Sequence, residues 1–97
     1  MDYVIRQTET FAAWLLSMKD LRAQIAIARR IDRACAGNFG DVKSVGEGVS
    51  EMRIDMGAGY RVYFIVRQRK VVFLLAGGNK STQPSDIRKA IALAKEI

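Results

Sequence analysis

Hydrophobicity changes period once along this chain, and that change most limits the folds open to it. From Phe11 to about Ala36 apolar residues recur at helical spacing, whereas from Asp41 to Ala76 they alternate. Thr8 and Thr10 offer hydroxyl caps for a first helix beginning near Phe11, along which Phe11, Trp14, Leu15 and Met18 share a face. Ser17 to Asp20 interrupts the pattern, and Asp20 is a good N-cap for a second helix that Gly37 can close in a left-handed conformation. On that helix Leu21, Ile25, Ala28, Ile31 and Cys35 form the expected apolar stripe, with Arg22, Arg29, Arg30 and Arg33 mostly elsewhere. Cys35 therefore reads as core packing rather than as a reactive thiol.

A β-prone piece, Tyr3 to Arg6, precedes the helices, and strand candidates follow them at Asp41 to Val45, Val49 to Asp55, Tyr60 to Arg67 and Lys70 to Ala76. The turns between these strands, Gly46 with Gly48, Gly57 with Gly59, and Gln68-Arg69, are too short for a crossover and demand antiparallel neighbours. Gly77-Gly78 is expected to end the last strand, and Pro84-Ser85-Asp86 to precede a closing helix with Ile87, Ile91 and Ala94 on one face. The order β-α-α-β-β-β-β-α predicts an α+β fold in which an antiparallel sheet packs against an N-terminal helical hairpin, with a helix at the C-terminal end. At 97 residues, one domain over 1–97 is expected.

Composition narrows function more than fold. Sixteen Lys and Arg against ten Asp and Glu leave a net charge of +6, so an acidic partner is expected. The chain has no His, which removes the usual neutral-pH general base, every His-based triad and the commonest metal ligand. Cys35, the single cysteine, can form neither an internal disulfide nor a Cys-rich zinc site. Neither cofactor nor metal is expected. The N-terminal stretch lacks the pattern of a signal peptide, and no apolar run approaches the roughly 20 residues of a spanning helix, so no membrane is expected among the partners and the cytoplasm is the expected location. The basic residues are dispersed rather than gathered in a tail, which leaves the fold to assemble them.

Alternation along the strands suggests where that happens. If Met52, Ile54 and Met56 face the helices, Glu51, Arg53 and Asp55 point the other way. On the next strand Val62, Phe64 and Val66 would be core, leaving Arg61, Tyr63, Ile65 and Arg67 on the opposite face. Two adjacent strands then bring Glu51, Arg53, Arg61 and Tyr63 together as a polar, net positive surface.

Three stretches carry a family resemblance: Gly48-Val49-Ser50-Glu51-Met52-Arg53-Ile54-Asp55, then Gly57-Ala58-Gly59-Tyr60-Arg61-Val62-Tyr63-Phe64, then Gly77-Gly78-Asn79-Lys80-Ser81-Thr82-Gln83-Pro84-Ser85-Asp86-Ile87. Together with the Phe11 and Trp14 helix, the basic second helix and the strand order, they resemble the RelE/ParE toxin superfamily, closest to its HigB-like, phage-derived addiction-module killer subgroup. The resemblance implies a toxin of a type II toxin-antitoxin pair, neutralised by a cognate antitoxin that is typically a helix-turn-helix DNA-binding protein in this subgroup. Many RelE-like members cleave messenger RNA on the ribosome without a metal. ParE-like members share the fold and poison DNA gyrase, so the alternative implied is a gyrase-binding toxin without nuclease activity, and the site must decide.

Cleavage through the ribose 2′-hydroxyl needs a base for that hydroxyl, charge stabilisation for the phosphorane and a proton for the leaving 5′ oxygen. Arg61, which matches the Arg of the Gly-Tyr-Arg-Val pattern, and Arg53 are the candidates for holding phosphate, because guanidinium forks match its oxygens. Lys80 joins them as cation or proton-transfer group, Glu51 or Lys80 as general base, and Tyr60 or Tyr63 as a stacking surface for a base. Arg67, Arg29 and Arg30 are further candidates for RNA contact, although for the last two a solvated helix face is the default reading. Gln83 and Asp86 read as caps of the last helix. The family nucleases often place a catalytic His or Tyr near the C-terminus, and Ala92-Leu93-Ala94-Lys95-Glu96-Ile97 has neither.

Overall fold

The structure is a computed structural model that describes residues 2–97. Strand β1 (Val4–Gln7) leads into helices α1 (Glu9–Ser17) and α2 (Leu21–Cys35). Strands β2 (Val42–Gly46), β3 (Val49–Ile54), β4 (Tyr60–Arg67) and β5 (Val71–Asn79) follow, then a turn of 3₁₀ helix (Lys80–Thr82) and helix α3 (Gln83–Ala94). The expected caps form: Thr8 accepts from the Phe11 amide and Asp20 from the Ala23 amide. The sheet order is β1-β5-β4-β3-β2.

Strands β2 to β5 make the expected antiparallel meander, and β1 adds to the far edge in parallel with β5. Short turns dictate direction only between consecutive strands; β1 is separated from the rest by two helices and is free to pair either way. The β4-β5 turn places Gln68 and Arg69 at φ of 56° and 55°, with the Lys70 amide donating to the Arg67 carbonyl, the geometry of a type I′ turn. Non-glycine residues are strained there, so the double change Gln68→Asn, Arg69→Gly is expected to stabilise the fold by about 1 kcal/mol and to raise the melting temperature by roughly 4–8 °C. A fall in melting temperature would contradict that turn assignment.

The two faces of the sheet carry separate cores. On one, α1 and α2 supply Phe11, Ile27 and Ala34 against Met52, Ile54, Val62, Phe64, Val72 and Leu74. On the other, Ala90 and Ala94 of α3 pack on Val49, Tyr63, Ile65, Leu75 and Ala76. The alternation of β3 and β4 is as expected, but the face opposite the hairpin is largely roofed by α3 rather than open. Met56 and Val66, expected in the core, lie at the surface, Met56 in the turn beyond β3 and Val66 next to the end of β4.

The stripe on α2 is displaced. Ala23, Ile27 and Ala34 are buried, while Leu21 is 68% and Ile25 54% exposed and Ala28 is also at the surface. Both sets sit at helical spacing, so periodicity alone does not choose between them. Cys35 is partly buried and donates from Sγ to the Tyr3 carbonyl, a structural position.

Strand β5 does not stop at Ala76. Tyr63 pairs with Ala76 and Phe64 with Leu74, so Leu75 is the extra residue of a bulge and both Leu75 and Ala76 turn toward α3. The strand then continues through both glycines, because each admits a neighbour where a side chain would sit: Trp14 lies against Gly77, and Asp86 and Thr82 against Gly78. Pro84, Ser85 and Asp86 likewise lie within the first turn of α3 rather than before it, where the missing proline N–H is no loss.

Candidate functional site

Helix α3 roofs Glu51, Tyr63 and Ile65 but stops short of the next residues on the same face, Arg53 and Arg61, which stand directly opposite one another on β3 and β4. Like charges in register are destabilising, typically by a few tenths of a kcal/mol, and a local rule broken without packing gain is a mark of function. Carboxylates flank the pair on both sides. Asp41, which precedes β2, accepts from Arg53 Nη2 at 2.7 Å and Nε at 3.3 Å. Glu51 Oε2 lies 3.9 Å from Arg61 Nε.

Around these residues opens a cleft of about 340 Å³, lined by Asp41, Arg53, Asp55, Gly59, Arg61 and Lys80. Three segments meet in it: the sheet face, the β3-β4 turn carrying Asp55 and Gly59, and the 3₁₀ turn carrying Lys80. Asn79 holds that last turn by accepting from the Ser81 amide, while its own amide donates to Thr82. Gly59, at φ of 76°, lets the turn pass close beneath Lys80 and Arg61: an added Cβ would lie 3.3 Å from the Lys80 Cβ and 3.7 Å from Arg61 Nη1.

Arg61 is the most constrained of the three cations. Its side chain is 13% exposed, and Nη1 donates to the carbonyls of Gly59 and Tyr60 at 3.2 and 3.3 Å. Nε is buried without a hydrogen-bond partner, and Nη2 makes no hydrogen bond among the described residues. Glu51, 1% exposed, is held from behind by Gln83, whose Nε2 donates to Oε2 at 2.7 Å. The first residue of α3 thus fixes the carboxylate that faces Arg61. Arg53 is paired instead with Asp41: their hydrogen bond holds the Asp41 carboxyl below the usual carboxylate range and raises Arg53 above the usual arginine range.

Of the residues expected at the site, Arg53, Arg61 and Lys80 are brought to one cleft, and Glu51 stands behind Arg61. Tyr63 lies elsewhere in function: it is fully buried under α3, its hydroxyl has no partner, and no base can stack on it. Burial pushes its phenol well above the ordinary range, with the Glu51 and Asp86 carboxylates adding to the shift. A native value raised in this way gives stability that is present below about pH 10 and lost as pH rises through the folded value. Tyr63→Phe is therefore expected to stabilise the fold by about 1 kcal/mol at neutral pH, by removing an unsatisfied hydroxyl, and to abolish that residue's share of the alkaline loss. Melting curves recorded from pH 7 to 11 check both.

Tyr60 is half-buried against the hairpin-side core. Arg67 lies away from the cleft, donating from Nη2 to the Ala94 carbonyl at 2.9 Å, where a cation complements the C-terminal end of α3. Arg30 is drawn inward and bridges α2 to the cleft wall, donating to the carbonyls of Arg53, Phe39 and Asp41; burial lowers its pKa. Arg29 lies on a separate groove along α2. Gln83 and Asp86, read as helix caps, do other things: Gln83 clamps Glu51, and Asp86 accepts from Thr82.

Two charged lining residues, Asp55 and Asp41, are not among the site candidates read from the sequence. Asp55 was placed on the correct face by alternation. Asp41 had a signal in the β2-β3 pairing, where Val42 opposite Met52 places Asp41 opposite Arg53. Among the described residues no group of three or more His, Cys, Asp or Glu could hold a metal ion, and no helix is long and apolar enough to cross a membrane.

Residues 13–97 match the sequence profile of the phage derived protein Gp49-like family. An uncharacterized protein of Haemophilus influenzae is 50% identical over 97 residues, which is all of this chain and 98% of that one. Among solved structures, a mutant of the E. coli toxin RelE in the free state superposes with a TM-score of 0.75 at 17% identity, over 95% of this chain and 97% of that chain. The toxin-antitoxin complex RelBE2 of Mycobacterium tuberculosis gives 0.66 at 18% identity, over 82% of this chain and 100% of that chain. The family profile covers all but the first strand and the start of α1, and the structural likenesses cover most of the chain: it belongs to the phage derived Gp49-like family and has the fold of the RelE toxins.

Proposed function

We propose that this chain is the toxin of a type II toxin-antitoxin pair, and that its cleft cleaves messenger RNA on the ribosome without a metal ion. The observation that carries the reading is the gathering of Arg53, Arg61 and Lys80, from three separate segments, around one open cleft on a sheet face otherwise roofed by α3. The RelE fold of the neighbours, one a toxin and one a toxin-antitoxin complex, supports the toxin half of it.

The geometry suggests a division of labour. Arg61, with Nη1 tied to backbone and its plane backed by Glu51, is preorganised to hold the non-bridging oxygens of a scissile phosphate as charge builds on them. Arg53 supplies a second fork once the phosphate displaces Asp41. Glu51 acts through Arg61, as a positioning residue, because its carboxylate is closed to solvent. The groups left for proton transfer are those lining the cleft: the carboxylates of Asp41 and Asp55 can accept the 2′-hydroxyl proton, and Lys80 can return one to the 5′ oxygen.

Induced expression followed by mapping of transcript 5′ ends tests the reading, alongside incubation of the purified chain with programmed ribosomes. Growth arrest with cleavage inside translated messages is expected. Arrest with intact messages and broken DNA would replace the nuclease with a gyrase-directed toxin, a reading favoured by one observation only: Glu51 and Tyr63 are both sealed off from substrate. Harmless expression would remove the toxin reading altogether.

A further inference from the structure

Arg22, Arg29 and Arg33 of α2 are exposed, whereas Arg30 is half-buried and spends its guanidinium on backbone. Nη1 donates to the Arg53 carbonyl at 2.6 Å, and Nη2 to the carbonyls of Phe39 and Asp41 at 3.1 and 3.4 Å. The Arg53 amide donates to the Asp41 carbonyl at 2.9 Å, so the pairing of β2 with β3 reaches one residue past the start of β2. The Arg53 carbonyl, which the Asp41 amide would take in a full rung of that ladder, is held by Arg30 instead. A single planar fork therefore ties the loop before β2 to the strand that carries Arg53. The loop lies tightly over it: Gly40 is at φ of 66°, and a Cβ there would come 2.9 Å from Arg30 Nη2.

Those two segments carry the two halves of an ion pair. Asp41 Oδ1 accepts from Arg53 Nη2 at 2.7 Å, and both residues line the cationic cleft, which Arg30 does not. We propose that Arg30 is a positioning residue of the cleft: by clamping the 39–41 loop onto β3, it fixes the Asp41 carboxylate at the Arg53 fork. That carboxylate then stands at one place beside the phosphate site, and a phosphate must displace it to reach Arg53. Arg30 itself does not hold RNA, because both ends of its fork are already occupied. Lys cannot take its place, since one ammonium on a flexible stem does not span carbonyls from two segments. The inference rests on the proposed nuclease only for the chemical use of Asp41, not for its placement.

Loosening the clamp has two consequences of opposite sign. Asp41 competes less for the Arg53 fork, so phosphate binds more tightly. The same carboxylate is no longer held where it can take the 2′-hydroxyl proton, so the chemical step slows. A general loss of structure would weaken both.

The test is Arg30→Lys, which keeps the charge and removes the fork. A non-cleavable 2′-O-methyl oligoribonucleotide is expected to bind about threefold more tightly, while single-turnover cleavage on programmed ribosomes falls about tenfold. Carbon-detected titration of the side-chain carboxyls reports Asp41 directly. Its pKa is held down first by the hydrogen bond from Arg53, with the charges of Arg53, Arg30 and Arg61 adding to the effect. In Arg30→Lys the midpoint is expected to move up toward the ordinary carboxylate range. Asp41→Asn is expected to reproduce the tighter binding and the slower cleavage, and Arg30→Lys to add nothing further in that background. The unaltered chain gives a reading that needs no variant to fold: binding of the oligonucleotide is expected to shift the Arg30 guanidinium resonances, although Arg30 lies outside the cleft. An unmoved Asp41 midpoint, parallel losses of binding and cleavage, additive effects in the double variant, or Arg30 resonances unchanged on binding would each overturn the proposal. Tighter binding and a raised midpoint in a chain that cleaves no message would remove the nuclease and leave the clamp.

Discussion

Cleavage of ribosome-bound message is expected to fall by about 10²–10³-fold when Arg61 is replaced by Ala, the usual cost of losing one preorganised charge-stabilising group. Arg61 is singled out over Arg53 and Lys80 by how it is held. Two backbone carbonyls hold its Nη1 and a buried carboxylate faces its Nε at 3.9 Å, whereas Arg53 is paired with a solvent-exposed aspartate that competes with any ligand for the same fork. Truncating Arg61 also leaves Glu51 buried without its facing cation, a fault that can cost several kcal/mol and depress activity through unfolding alone. The informative variant is therefore Arg61→Ala combined with Glu51→Gln, which removes the stranded carboxylate while leaving an acceptor for Gln83. Its melting temperature is expected to recover while cleavage stays low. Arg61→Lys keeps the charge but not the planar fork, and is expected to lose about tenfold. If the double variant cleaved at the parental single-turnover rate, Arg61 would have no part in the chemistry.

The same residues show what the sequence could and could not disclose. Arg53 and Arg61 were legible as neighbours because strand alternation and a short glycine turn are local properties, and both survived intact into the pairing of β3 with β4. The seclusion of Glu51 and Tyr63 was not, because it depends on α3 returning across the sheet to the face opposite the hairpin, a contact some thirty residues away in the chain: Gln83 and Glu51 are separated by 32 positions. The choice between the two stripes of α2 was equally hidden. Leu21 and Ile25 are larger and more apolar than Ala23 and Ala34, yet it is the stripe of Ala23, Ile27 and Ala34 that is buried. Hydrophobicity ranks residues by transfer energy, whereas the core selects them by shape, and a large apolar residue left outside is then free to serve as a contact surface. The bulge at Leu75 was invisible for a further reason: it shifts the phase of β5 by one residue, and a run as uniformly apolar as Val71 to Ala76 gives no alternation to reveal it.

A single methyl group added at Gly77 is expected to carry a large stability effect. The Gly77 backbone is ordinary strand rather than left-handed, so Ala would be at no conformational disadvantage there. The obstacle is Trp14: a Cβ on Gly77 would overlap the six-membered ring of the indole, which is itself packed on Phe11 at a centroid distance of 5.8 Å. Because the Trp14 ring is backed by the core, it cannot withdraw without moving α1 from the sheet. Gly77→Ala is accordingly expected to destabilise the fold by about 3 kcal/mol, which for a domain near 100 residues lowers the melting temperature by roughly 12–24 °C. Gly46 makes the contrast: its φ is 111° and nothing lies within 4 Å of its missing Cβ, so substitution there strains the backbone without any collision. Shortening the obstructing ring in the double variant Gly77→Ala, Trp14→Leu is expected to recover part of the loss, giving a favourable coupling of about 1–2 kcal/mol in a double-mutant cycle. A melting temperature within about 2 °C of the parent for Gly77→Ala, or strict additivity of the two changes, would mean that Trp14 does not rest on the strand at that point.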